Sequence, residues 1–239
     1  QTVMSGNGFY HRAKFFRYVH GYSTAGGSDI AQLFGSSGND TLVGRPDWTS
    51  LKGGTYFLRA KLFEVVQANG GNGGVDAASL IGSSGKDALV AGPRWAEMTT
   101  PGAQIRVQKF SSIMANGQAG WDTATLYDSP GDDHLKAWPG KAEMRGVGYQ
   151  ISLTSFEEIT GKSSAGGRDV AELWDSPGND QFVSRSRESY LLGTGFCNRV
   201  YDYALVHGYS TTGGTDVAYL DGTTGVNAWV VKPEQVTVS

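Results

Sequence analysis

Apolar and polar residues alternate along short stretches of this chain, and the same stretches return at a long, fixed interval. The phrase Asp29-Ile30-Ala31-Gln32-Leu33 is answered by Asp76-Ala77-Ala78-Ser79-Leu80, Asp122-Thr123-Ala124-Thr125-Leu126, Asp169-Val170-Ala171-Glu172-Leu173 and Asp216-Val217-Ala218-Tyr219-Leu220. Asp, Ala and Leu stand two positions apart, so their side chains share one face of an extended strand. The five aspartates are spaced 47, 46, 47 and 47 residues apart. A period of roughly 20–50 residues marks a solenoid, a propeller or an array.

Each phrase runs on into a turn. Ser36, Ser83, Ser129, Ser176 and Thr223 open it, Gly38, Gly85, Gly131, Gly178 and Gly225 bend it, and Asp40, Asp87, Asp133 and Asp180 close it, with Asn227 breaking the last column. Ser and Asp side chains satisfy nearby backbone N–H groups in such turns. A second short alternation follows, then an apolar column (Met4, Leu51, Met98, Met144, Leu191) and an aromatic one (Phe9, Tyr56, Tyr149, Phe196, with Ala103 in the third repeat). Last comes Phe-x-x-Val or its equivalent: Phe16 and Val19, Phe63 and Val66, Phe110 and Ile113, Phe156 and Ile159, Tyr203 and Val206. These patterns predict about four short β segments per repeat and no amphipathic helix. β-branched and aromatic residues favour a strand or a bulge over a helical turn at Phe-x-x-Val.

The fold class expected is all-β: a parallel β-solenoid of five repeats, at about 4–50, 51–97, 98–143, 144–190 and 191–238, in one domain over 1–239. Two coils of about 23 residues per repeat would stack equivalent residues as ladders. Fixed small turn residues and the altered tail, with Asn227 and Pro233, favour this over the alternative, a five-bladed propeller. The phase of the ends, with Thr237-Val238 five repeats after Thr2-Val3, suits a ring or a filament subunit.

Composition narrows the function classes. The 239 residues carry a formal net charge of −3 with only 18% charged residues, which gives no general pull toward nucleic acid. No apolar run reaches the roughly 18–20 residues that span a bilayer, so no membrane insertion is expected. The single Cys197 excludes an internal disulfide framework and a Cys-rich zinc site, and four scattered His make no metal motif.

The segments Gly38-Asn39-Asp40-Thr41-Leu42, Gly131-Asp132-Asp133-His134-Leu135 and Gly178-Asn179-Asp180-Gln181-Phe182 resemble part of the RTX (haemolysin-type) repeat G-G-x-G-x-D-x-L-x. RTX units recur every nine residues with Ca²⁺ between turns of a β-roll; here the phrase recurs every 47. The longer pattern is similar to Gly/Asp-rich arrays of large secreted bacterial proteins. The resemblance implies an extracellular or cell-surface location and calcium as the one candidate cofactor. Its candidate ligands are Asp40, Asp87, Asp128, Asp133, Asp175 and Asp180, since Ca²⁺ takes six to eight oxygens, mostly carboxylate and carbonyl. The competing reading gives each Asp only its own turn to cap.

No residue set points to catalysis. Paired carboxylates can cleave glycosidic bonds, but these aspartates are periodic and catalysis needs one asymmetric constellation. Trp48, Trp95, Trp121, Trp138, Trp174 and Trp229 could stack on sugars. Only Trp48 and Trp95 share a column, so no continuous platform is expected. Cys197 reads as a half-buried thiol, the Gly-x-Gly matches lack the GK[ST] of a phosphate loop, and Asn39-Asp40-Thr41 is a lone glycosylation sequon. His20 and His207 share a column of the first and last repeats and could meet in a ring or at a subunit junction. The functional expectation is a non-enzymatic extracellular protein with a structural or adhesive role. It would self-associate through its terminal repeats into a filament or surface layer, with polysaccharide as a further candidate partner. The alternative is a carbohydrate- or calcium-binding module of a larger secreted enzyme.

Overall fold

The computed structural model describes residues 2–222, 229–232 and 235–238, and all regular structure among them is β-strand. Asn227 and Pro233, taken from the sequence as signs of an altered end, lie outside the described residues. The fold is a β-solenoid of about six turns, built as two facing sheets of 11 and 13 strands beside a separate hairpin of Thr2–Gly6 and Phe9–Ala13.

One repeat shows how the pattern becomes a coil. The Asp-x-Ala-x-Leu phrase forms strand Ala77–Ile81 in the 13-stranded sheet. The chain crosses to the 11-stranded sheet and makes an antiparallel meander of Ala88–Gly92, Trp95–Thr100 and Ala103–Gln108. It then crosses back to strand Ser112–Asn116. Five strands replace the four expected, because the region after the S-x-G-x-D turn holds a full three-stranded meander.

Three crossings per repeat are an odd number, so each repeat ends on the face opposite to its start. In the following repeat Thr123–Tyr127 and Glu158–Lys162 lie in the 11-stranded sheet, and the meander His134–Trp138, Lys141–Gly146 and Tyr149–Thr154 lies in the 13-stranded one. A repeat is therefore one and a half coils rather than two. The period of the sequence is a half-rotation, and the structure repeats every second unit.

The meander also backfills. Its first strand, Ala88–Gly92, pairs in parallel with Thr123–Tyr127 ahead, and its last, Ala103–Gln108, pairs in parallel with Val65–Asn69 behind. The strand between them is antiparallel to both. Parallel partners across the coils are thus 35 to 39 residues apart, as in Ala88 with Thr123 and Gln104 with Val65.

This offset shapes the core. Ala78, Ala124 and Ala171 are buried together with Leu80, Leu126 and Leu173. The alanines do not stack on one another. Ala78 lies between Leu42 and Ile113, and Ala124 between Leu89 and Ile159. A small residue beside large ones on each strand lets the facing layers interdigitate at interior density. Phe110 and Phe156 fill the arcs between meander and final strand and are fully buried. The residue before each member of this aromatic column is left-handed: Phe15, Leu62, Lys109, Ser155 and Asp202 have φ of 63°, 62°, 64°, 57° and 61°. The Phe-x-x-Val phrase is therefore an arc leading into a strand.

Candidate functional site

The buried polar groups gather at the corners where one repeat meets the next. Within the turn, the Ser83 N–H donates to Asp87 Oδ2 at 2.6 Å, the Ser83 hydroxyl to Asp87 Oδ1 at 2.8 Å, and the Gly85 N–H to Ser83 Oγ at 3.0 Å. The same set recurs at Ser36 and Asp40, Ser129 and Asp133, and Ser176 and Asp180. The aspartates cap their turns, as the sequence allows.

A second tie crosses the repeats. The backbone N–H of Asp40, Asp87, Asp133 and Asp180 donates to Oδ1 of Asp76, Asp122, Asp169 and Asp216, at 2.8, 2.7, 2.8 and 2.8 Å. Each turn aspartate is thereby fixed by the leading aspartate of the following repeat. In two junctions a phenol adds to this: Tyr56 donates to Asp40 Oδ1 at 2.8 Å and Tyr149 to Asp133 Oδ1 at 2.9 Å. Burial, then the neighbouring carboxylate, pushes the pKa of both tyrosines upward, so they act as neutral donors.

The junctions come in two forms. In the first, Gly35 faces Gly70 and Gly82 faces Gly117: a methyl group on Gly35 would sit 2.3 Å from the Gly70 carbonyl oxygen, and one on Gly82 2.6 Å from that of Gly117. In the second, Asp128 and Ser163, or Asp175 and Ser210, occupy the same positions. Asp128, Asp133 and Asp169 then bring carboxylate oxygens within 4.8 Å of one another, as do Asp175, Asp180 and Asp216. The first triad is buried and the second is buried except at the half-buried Asp216; either could hold a metal ion.

The triads carry their own donors. Asp128 accepts from the Ala165 N–H at 2.8 Å, Asp175 from the N–H groups of Thr211 and Thr212 at 2.8 Å, and Asp169 and Asp216 from the hydroxyls of Ser163 and Ser210 at 2.5 Å. The glycine junctions lack that hydroxyl. There Asp76 Oδ2 and Asp122 Oδ2 are fully buried and have no hydrogen-bond partner. Burial raises the pKa of Asp76, Asp122, Asp169 and Asp180 above the usual carboxylate range.

Of the six candidate ligands, Asp128 with Asp133 and Asp175 with Asp180 come together, whereas Asp40 and Asp87 stand at glycine junctions outside any triad. Sequence reasoning missed Asp169 and Asp216 as third members. Their signal is the offset of 36 from Asp133 and Asp180, which is hidden by the period of 47. The same offset hid an aromatic ladder: Trp138 stacks on Trp174 at 6.3 Å and Trp174 on Tyr209 at 4.1 Å, joining three columns of the alignment. His20 and His207 lie toward opposite ends of the 13-stranded sheet and do not meet. The Cys197 thiol is half-buried, and burial raises its pKa.

Among the described residues no helix is long and apolar enough to cross a membrane. Comparison with family models, curated proteins and solved structures finds no match to this chain.

Proposed function

We propose that the chain is an extracellular, non-enzymatic scaffold, structural or adhesive, whose units associate end to end into a filament or surface layer. The observation that carries this reading is the state of the sheet edges. Among the described residues, Tyr18–Tyr22 and Ile30–Phe34 stand outermost at one extremity of the two sheets, and Val217–Leu220 and Trp229–Lys232 at the other. Open edges of this kind are templates for pairing with another chain. Charge supports a head-to-tail sense. Residues 2–28 contain Arg12, Lys14 and Arg17 and no Asp or Glu, while residues 201–232 contain Asp202, Asp216 and Asp221 and the single cation Lys232. Head-to-tail contact is heterologous and propagates unless rotation closes it. Light scattering across a concentration series tests the reading: particle mass should rise with concentration and fall with added salt. A monomer at every concentration would overturn the filament.

Calcium is the finer reading of the triads. Three carboxylates supply half of the oxygens that Ca²⁺ takes, and the likeness of the Gly-Asp turns to RTX repeats supports the same ion. Binding would exchange some hydrogen bonds of Ser163 and Ser210 for metal–oxygen bonds.

A further inference from the structure

The outer face of the 11-stranded sheet carries one row of side chains that no alignment of the repeats reveals. Phe34 is in register with Asn69, Asn69 with Gln108, and Gln108 with Trp95. Four strands cross three spacings, about 14 Å. Along this row lie two adjoining hollows of about 460 and 720 Å³, which share Gly71, Asn72 and Lys109 as walls. Together they form one trough running along the solenoid axis.

The chemistry of the trough differs from that of the molecule. The chain has a net charge of −3, yet no Asp or Glu is among the described residues that line either hollow, and Arg94 and Lys109 both do. The Lys109 ammonium is steered by a hydrogen bond of 2.6 Å to Asn72 Oδ1. Arg94 is held at φ 66° in the hairpin turn where the next repeat has Gly140 at φ 70°. A left-handed backbone is unfavourable for a residue with a Cβ, so Arg94 occupies a position that glycine fits better. Carboxamides of Asn69 and Gln108 line the trough with these cations, and aromatic rings stand at both ends, Phe34 exposed and Trp95 half-buried.

We propose that this trough binds an acidic polysaccharide, a linear polymer of uronic acids. Guanidinium and ammonium groups recognise the carboxylates, carboxamides the hydroxyls, and the terminal rings the apolar faces of sugar units. The strand spacing of about 4.8 Å is close to the length of one sugar unit, so successive strands meet successive residues of the polymer. The proposal gives a ligand class to the adhesive reading above and rests on it, but needs no self-association.

Titration calorimetry with polygalacturonate tests it, with a neutral glucan and single-stranded DNA as separate arms. Binding of polygalacturonate is expected, weakening as salt is raised, with no heat from the glucan and at least tenfold weaker binding of DNA. Arg94→Gly should lower the affinity at least tenfold while the melting temperature holds or rises, because glycine suits the turn. Gln108→Glu, at an exposed position, should lower it similarly by placing a carboxylate in the trough. Equal binding of DNA would reduce the site to general polyanion attraction and overturn the proposal. So would equal binding of the glucan, or full affinity in both variants. Scattering without polymer decides self-association separately, so the two readings fail independently.

Discussion

The backbone N–H of Asp133 donates to Asp169 Oδ1 across 36 residues of sequence, at 2.8 Å, and both residues are buried. Each junction between repeats uses this one bond, so the aspartate that begins a phrase serves the phrase before it. Asp169→Ala would leave the Asp133 N–H and the Ser163 hydroxyl without an acceptor. Each unsatisfied buried group costs about 1–3 kcal/mol, and a clear fall in the urea midpoint is expected. A midpoint unchanged from the parent would show that the tie carries no weight.

The raised pKa values of Asp76, Asp122, Asp169 and Asp180 set the sign of a pH effect. A carboxyl whose pKa is higher in the folded state binds its proton more tightly there. Its contribution to stability is fully present below the unfolded pKa, near 4, and is lost as pH rises through the folded value. Above the unfolded pKa, stability should therefore increase as the pH is lowered from neutrality toward about 4. Asp122→Asn, which keeps an oxygen for the Asp87 N–H and mimics the neutral acid, should flatten part of that slope. Melting curves at several pH values check both statements. A parent protein that loses stability steadily over this interval would contradict them.

Calcium binding to the triads predicts linkage. A ligand of the folded state stabilises it by mass action, about 2.7 kcal/mol at a hundredfold excess over its Kd. The melting temperature should be higher in millimolar Ca²⁺ than in excess EDTA, and Asp128→Asn with Asp175→Asn should shrink the difference. Coincident curves for the parent protein would leave the aspartates as turn caps alone.

Much of the fold was legible because its determinants are residue types. Period-two alternation places Ala78 and Leu80 on one face, and Ser83, Gly85 and Asp87 announce their turn. The left-handed arc was not legible, since Phe15, Leu62, Lys109, Ser155 and Asp202 share a conformation and no chemistry. Nor were the partners across coils. Aligning the chain on 47 compares residues in equivalent places, whereas contacts form between residues 35 to 39 apart. Hence the sequence marks Asp133 as a candidate ligand and not Asp169, and Trp138 and Trp174, which stack in the fold, fall in different columns of the alignment.

The arc gives a prediction with an unusual direction. Ser155 is left-handed at φ 57°, where glycine has no steric penalty. Ser155→Gly relieves roughly 1–2 kcal/mol of strain and adds about 0.5–1 kcal/mol of unfolded-state entropy. A net gain of about 0.5–1 kcal/mol should raise the denaturation midpoint. A loss of stability would mean that the Ser155 side chain makes a compensating contact.

The last prediction separates position in the repeat from position in the fold. Ala124 and Ala218 occupy one column of the alignment, so a ladder of equivalent residues would treat them alike. In the structure Ala124 is buried between Leu89 and Ile159, while Ala218 is exposed on the outermost strand of its sheet. Ala124→Leu should overpack the core and cost about 1–3 kcal/mol. Ala218→Leu should change stability by no more than about 0.5 kcal/mol. Chemical denaturation of the two variants, measured below the concentration at which particles grow, gives the comparison directly. Equal losses would mean that Ala218 is packed as deeply as Ala124, and that the end strand is covered in solution.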